Sequence, residues 1–129
     1  MNRVIKFSGF CKSTKEFLFG CLSSIDGKTY IFPEDAMNSP DFYEVEPDTV
    51  GQFTGLLDSE GREIYEGDIL EVRPFSEFNY IGVVEFYNGL FIVSSPSALN
   101  CGLGSFENPD KITVIGEIYQ NLNLIRWKH

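Results

Sequence analysis

Histidine, paired cysteine, positive charge, long apolar runs and helical periodicity are all scarce in this chain of 129 residues. Its one histidine is His129, the last residue. A terminal side chain of this kind frays into solvent, so histidine-dependent triads, Cys–His catalysis and histidine-rich metal sites are excluded. The three cysteines, Cys11, Cys21 and Cys101, form no Cys-x-x-Cys pair. An odd, widely spaced set argues against a disulfide framework and a structural zinc site, and fits buried free thiols in a reducing compartment. Lys12 beside Cys11 is the one hint of a cationic neighbour that would activate a thiol, and burial is the reading preferred over reactivity. Lysine and arginine number 10 against 19 acids, for a net charge of −9 and a pI near 4.5. Nucleic acid is bound through cations, so such a chain is poorly suited to it. No apolar run approaches the ~20 residues that span a bilayer. Met1 to Phe10 has no apolar signal-peptide region. The expectation is a soluble, cytoplasmic protein without membrane contact.

What is abundant is aromatic. Phe, Tyr and Trp make up 15% of the chain, with twelve Phe and six Tyr, and such residues favour pleated, half-buried surfaces. Short alternating runs are separated by turn signals. Val4–Phe7 reads as a first strand, Glu16–Leu22 as a second and Lys28–Phe32 as its return across Asp26-Gly27. Val50–Leu56, Arg62–Tyr65 and Asp68–Arg73 follow, the last stopped by Pro74. Gly82–Tyr87 and Leu90–Ser94 flank Asn88-Gly89, a strong hairpin signal, and Ile112–Tyr119 closes the series. Helical turns are expected only at Glu34–Met37 and Ser97–Cys101. About nine such strands imply an all-β barrel or sandwich. The proline- and acid-rich stretch Pro33–Asp48 is the natural boundary between an N-terminal β region, 1–49, and a second lobe, 50–129, within one domain of 1–129.

Several clusters are candidates for chemistry or binding. Asp58, Glu60, Glu63, Glu66 and Asp68 place five carboxylates in eleven residues. They would suit a Ca²⁺ or Mg²⁺ site or an acid–base pair. The spacing is not that of an EF-hand, and turn architecture is the reading preferred. No glycine pattern matches a phosphate loop. No catalytic, cofactor-binding or metal-binding residue is therefore assigned. The acids Glu34, Asp35, Asp41, Glu44, Glu46 and Asp48 have no Lys or Arg between them. They read as a solubilising loop or, through Glu44 and Glu46, as a dock for a basic protein. Arg3, Lys6, Lys12 and Lys15 precede the first acid and read as a solvated strand face. Phe75, Phe78 and Tyr80 lie in an apparent loop that would cap a barrel end or hold a partner. Alternation makes Phe86 a core residue and Tyr87 a surface one.

Three segments carry a resemblance. They are Gln52-Phe-Thr-Gly-Leu-x-Asp-x-x-Gly61, Arg62-Glu-Ile-Tyr-Glu-Gly-Asp-Ile69, and Gly82-Val-Val-Glu-Phe86 with Val114-Ile-Gly-Glu-Ile-Tyr-Gln-Asn121. On these the chain resembles the YopX family, small proteins carried by bacterial phages and prophages. That family's closing Gly-Asn-Ile-Tyr-Glu-Asn-Pro is altered here at Glu117, Gln120 and Leu122. Its opening is reduced to Ile5-Lys-Phe7. The resemblance covers roughly 50–121 well and implies an all-β fold, a C-terminal SH3-like barrel and a phage or prophage setting. It implies no catalytic residue and no cofactor.

The functional expectation is a non-enzymatic phage accessory protein acting through protein–protein contacts, with a tendency to homo-oligomerise. Phe75, Phe78, Tyr80, Tyr87, Glu44 and Glu46 are the candidate binding surface. The alternatives are a nucleic-acid-binding barrel, opposed by the net charge, and an acidic decoy for a basic host protein. An enzyme ranks last, because no group titrating near neutral pH is expected inside the fold.

Overall fold

The structure, a computed structural model, describes residues 4–34, 41–75, 78–95, 101–103 and 111–121, with backbone alone at 74, 75, 78 and 101. Among these residues it is built of antiparallel strands, with a 3₁₀ turn at Pro47–Thr49. The all-β reading holds. The chain divides into two compact units, Met1–Phe53 and Thr54–His129.

In the first unit, β1 (Phe7–Cys11), β2 (Glu16–Ile25), β3 (Lys28–Pro33) and β4 (Tyr43–Glu44) form a meander, and the start of β5 (Gly51–Leu57) pairs with the other side of β1. Asp26 and Gly27, at φ 52° and 78°, make the two-residue turn with two left-handed positions that suits strand twist. Ile25 pairs with Lys28 across it, so β2 runs three residues beyond its expected end. The first strand also lies later than expected, at Phe7–Cys11 instead of Val4–Phe7. Gly9, outside the expected strand, pairs with Leu18 in mid-strand. A Cβ at Gly9 would lie 2.9 Å from Val45 Cγ2 and 3.0 Å from Ile31 Cδ1. Glycine is there so that Val45 and Ile31 can pack on the strand. Cys11, Ile31 and Val45 are the buried centre, flanked by Leu18, Tyr43 and Val50.

In the second unit, β6 is Glu63–Tyr65, β7 Asp68–Phe75, β8 Phe78–Tyr87, β9 Leu90–Ser94, β10 Cys101–Gly102 and β11 Ile112–Glu117. Five of them form an antiparallel sheet in the order β10-β9-β8-β7-β11. Ile64, Leu70, Val72, Tyr80, Val84, Val93, Leu103 and Ile112 build its core. The sheet is open: no pairing among the described residues joins β10 to β11. The closed SH3-like barrel expected from the resemblance is therefore not seen. Pro74 does not end β7. The register shifts between Val72 and Phe75, and Phe75 pairs with Phe78 beyond the shift. A bulge accommodates a residue that has no amide to donate. The stretch read as a loop is thus mostly β7 and β8. Ile112–Glu117 stops short of the expected Tyr119 because the chain turns there, with the Asn121 amide on the Glu117 carbonyl at 2.9 Å; a second shift, between Val114 and Gly116, breaks its alternation at Ile115. The helical turn expected at Glu34–Met37 falls largely outside the described residues, as do the residues before Cys101 in the other.

Candidate interaction surface

The three sequence segments that carry the family resemblance meet in the second unit. Asp58 is buried in the turn between β5 and β6. Its Oδ1 accepts the amides of Glu60 (2.9 Å) and Arg62 (2.8 Å), and its Oδ2 accepts the Val114 amide (2.9 Å) and Arg62 Nε (3.1 Å). Burial raises its pKa, but the three amides and the guanidinium outweigh it and hold the carboxyl below its ordinary 3.8. Ser59 donates its amide to the Ile112 carbonyl at 2.9 Å, and its hydroxyl meets Thr113 Oγ1 at 2.8 Å. The turn thereby occupies backbone groups on the free edge of β11, a way of blunting an edge strand. Gly67, at φ 93°, donates to the Val84 carbonyl (2.8 Å) and accepts from the Ile118 amide (2.9 Å).

The carboxylates of this region serve that architecture. Glu60 accepts from Arg62 at 3.2 Å, Glu63 from the Tyr65 hydroxyl at 2.9 Å and Asp68 from the Tyr65 amide at 2.8 Å. One expectation is overturned. Burial raises the Asp68 pKa, and the charges of Glu117 and Asp58 reinforce the shift. The Tyr65 amide and Arg62 oppose it, and the result is about 7. A group titrating near neutral pH therefore does lie inside the fold.

The acidic run is partly neutralised within the first unit. Lys6 pairs with Glu34 at 3.1 Å and Lys12 with Glu46 at 2.9 Å. The two lysines read as a solvated face thus sit on two of the acids. Cys11 is buried, as expected, and touches Ser13 Oγ at 3.1 Å. Burial raises that thiol, and hydrogen bonds from Ser13 and Thr14 bring it below its ordinary value. Cys21, expected to be buried, is exposed, because it lies opposite Phe32 on the face of β2 and β3 away from Ile31. The Cys101 side chain lies outside the described residues. Glu44 is exposed on β4, opposite Tyr30.

The aromatic candidates separate. Tyr80 is only 8% exposed and belongs to the core of the second unit, so it is not a surface residue. The side chains of Phe75 and Phe78 lie outside the described residues. Tyr87 is 56% exposed, and its neighbours Phe86 (55%) and Leu90 (59%) are equally open. Phe86 was expected in the core and is not. Alternation assigns a face but does not say how far a hairpin overhangs its sheet. Val84 and Val93 pair within the core and Phe91 packs against it, whereas Phe86, Tyr87 and Leu90 stand open to solvent. Phe86 packs edge-on against Phe91 at 5.1 Å. Asn88 (φ 50°) and Gly89 (φ 80°) lock the turn between them. The result is a stiff apolar tip, residues 86–91, without a single charge. A second aromatic group, Tyr30, Phe32 and Phe42, lies in the first unit, with ring centres about 5 Å apart.

Comparison with known proteins fits this picture. The model of the family described as YopX protein matches residues 6–126. No curated protein matches the chain. Among solved structures, the crystal structure of protein EF1440 from Enterococcus faecalis is similar, at a TM-score of 0.56 and 21% identity over 97% of this chain and 100% of that one. At that identity the likeness speaks for the fold alone. The family model spans nearly the whole sequence and takes in all three converging segments. The chain belongs to the YopX family.

Proposed function

We propose that the protein is a non-enzymatic interaction module, a phage or prophage accessory protein that inserts the β8–β9 tip into an apolar pocket on a protein partner. The observation that carries this reading is the concentration of Phe86, Tyr87 and Leu90, each more than half exposed, on a two-residue turn. Burying such a side chain contributes about 1.5–3 kcal/mol. A turn already fixed in its bound shape loses little entropy on docking. Asp68, pushed up to about 7, holds a backbone amide within the Gly67 turn, a role in architecture rather than turnover. The nucleic-acid reading is weakened because Lys6 and Lys12 are engaged by acids. The acidic-decoy reading is weakened by the same two pairs.

The test is capture from infected host cells with three baits: wild type, the double variant Phe86→Ser/Leu90→Ser, and the charge reversal Glu44→Lys/Glu46→Lys. The tip variant should lose a partner that the reversal retains, with a weakening of about 10- to 100-fold per truncated anchor. Loss confined to the charge reversal would move the site to the acids and refute the proposal. Light scattering across a concentration series reports whether the partner is a second copy.

A further inference from the structure

Asp68 opens β7, Glu117 closes β11, and the register sets them directly opposite one another. Residues opposed across an antiparallel pair project to one face with Cβ atoms about 5 Å apart, so like charges there repel. The two carboxylates have different duties. Glu117 Oε2 accepts the Tyr119 amide at 2.9 Å, and Oε1 accepts the Gln120 amide at 2.7 Å. Both of its oxygens are thus occupied as acceptors within its own turn. The Asn121 amide reaches the Glu117 carbonyl at 2.9 Å, and Asn121 Oδ1 receives the Glu117 amide at 3.2 Å. The segment is tied to the sheet by the Ile118 amide on the Gly67 carbonyl. Glu117 thus caps its own turn. Asp68 needs only one lone pair, for the Tyr65 amide, and is the member of the pair able to carry a proton.

We propose that Asp68 and Glu117 form a proton-dependent latch that holds Ile118–Asn121 on the Gly67 turn when Asp68 is neutral and loosens it when Asp68 is charged. Glu117 on β11 and Asp58 before β6 face Asp68 with negative charge, and Arg62 is the opposing cation. From β8, the other neighbour of β7, the one charged residue is Glu85, which is exposed. Burial and the two anions make Asp68 bind its proton more tightly in the closed form, at about 7, than in an opened one, where it returns towards 3.8. A raised carboxyl destabilises the closed form progressively between those two values and no further above the upper one. The proton-linked hold is complete below about 3.8 and gone by slightly alkaline pH.

Amide hydrogen exchange at Ile118 and Asn121, corrected for the intrinsic rate, tests this in the full chain. The opening constant should rise at least about tenfold from pH ~5 to ~7 and level off above ~7.5. In Asp68→Asn, whose amide oxygen still accepts from Tyr65, it should stay within about twofold. A wild-type rise below about threefold, or an equal rise in the variant, overturns the latch. Should the variant fail to fold, titration of the wild-type Asp68 carboxyl carbon decides: a midpoint above about 5.5 supports the proposal, and one below it refutes it.

Discussion

Removing Asp58 should be among the most damaging single changes in the second unit. Asp58→Ala leaves four donors without their acceptor: the amides of Glu60, Arg62 and Val114, and Arg62 Nε. Glu60 and Arg62 are exposed and can turn to water, so each loss resembles removal of a helix-cap or Asx-turn acceptor, about 0.5–1 kcal/mol. Val114 sits in β11 beneath the turn, and its stranded amide costs about 1–3 kcal/mol. The sum is about 3–4 kcal/mol, a large share of the ~5–15 kcal/mol typical of a folded domain. Asp58→Asn does not rescue it. Its oxygen satisfies Glu60 and Arg62, but its NH₂ then confronts the Val114 amide and Arg62 Nε, donor against donor; about 2–3 kcal/mol should still be lost. Urea unfolding should show a lower midpoint at unchanged slope, with exchange at Val114 accelerated first. The pH dependence has a definite sign. Asp58 is held below 3.8 in the folded state, so its contribution is complete above that value and is lost as pH falls through the folded one. The alanine variant should lack this part of the acid limb. A loss under about 1 kcal/mol for both variants would refute the view that this carboxylate ties the turn to β11.

Three further outcomes follow from the geometry. Gly9→Val should destabilise the first unit by about 1–3 kcal/mol in thermal unfolding, because its Cβ would press on Val45 and Ile31 inside a filled core. Asp68→Asn should be more stable than wild type at pH ~7.5 and equal to it near pH 4. The displacement from 3.8 to about 7 caps the difference at about 4 kcal/mol, and partial solvent access reduces it to about 2. Both proteins share the remaining acidic charge, so their difference isolates this residue. Phe86→Ser/Leu90→Ser should leave the unfolding midpoint within about 1 kcal/mol of wild type, since both side chains already face water; a larger loss would make the tip structural.

Much of the fold is legible where the signal is local. Asp26-Gly27 and Asn88-Gly89 state their hairpins through two left-handed positions, and Gly61 and Gly67 occupy the expected positive-φ positions. The misses all depend on something distant in the chain. Gly9 carries no strand signal of its own, and its place in β1 depends on Val45, thirty-six residues later, which needs its space. Pro74 looks like a stop until the bulge beside it shows how β7 continues. Whether a curled sheet closes on itself depends on the pairing of its first and last strands, and neither the two-residue β10 nor the bulged β11 declares that pairing in its sequence.

The candidate surface shows the same division for a different reason. Tyr80, Val84 and Phe86 lie on one face of β8, yet the first two are buried and the last is open. A two-residue period carries direction without depth. Depth depends on how far the core reaches along the hairpin, here to Val84 on one strand and to Phe91 on the other. The carboxylates diverge by a related argument. Asp58 and Asp68 are both aspartates in turns that precede short strands, and both are hydrogen-bonded to backbone amides. One is pushed down and the other up, because Asp58 collects four donors while Asp68 collects one and faces Glu117, forty-nine residues away. The sign of a pKa shift is set by the balance of donors and like charges gathered around the group. That balance is a property of strand register, which turn chemistry at the residue itself does not encode.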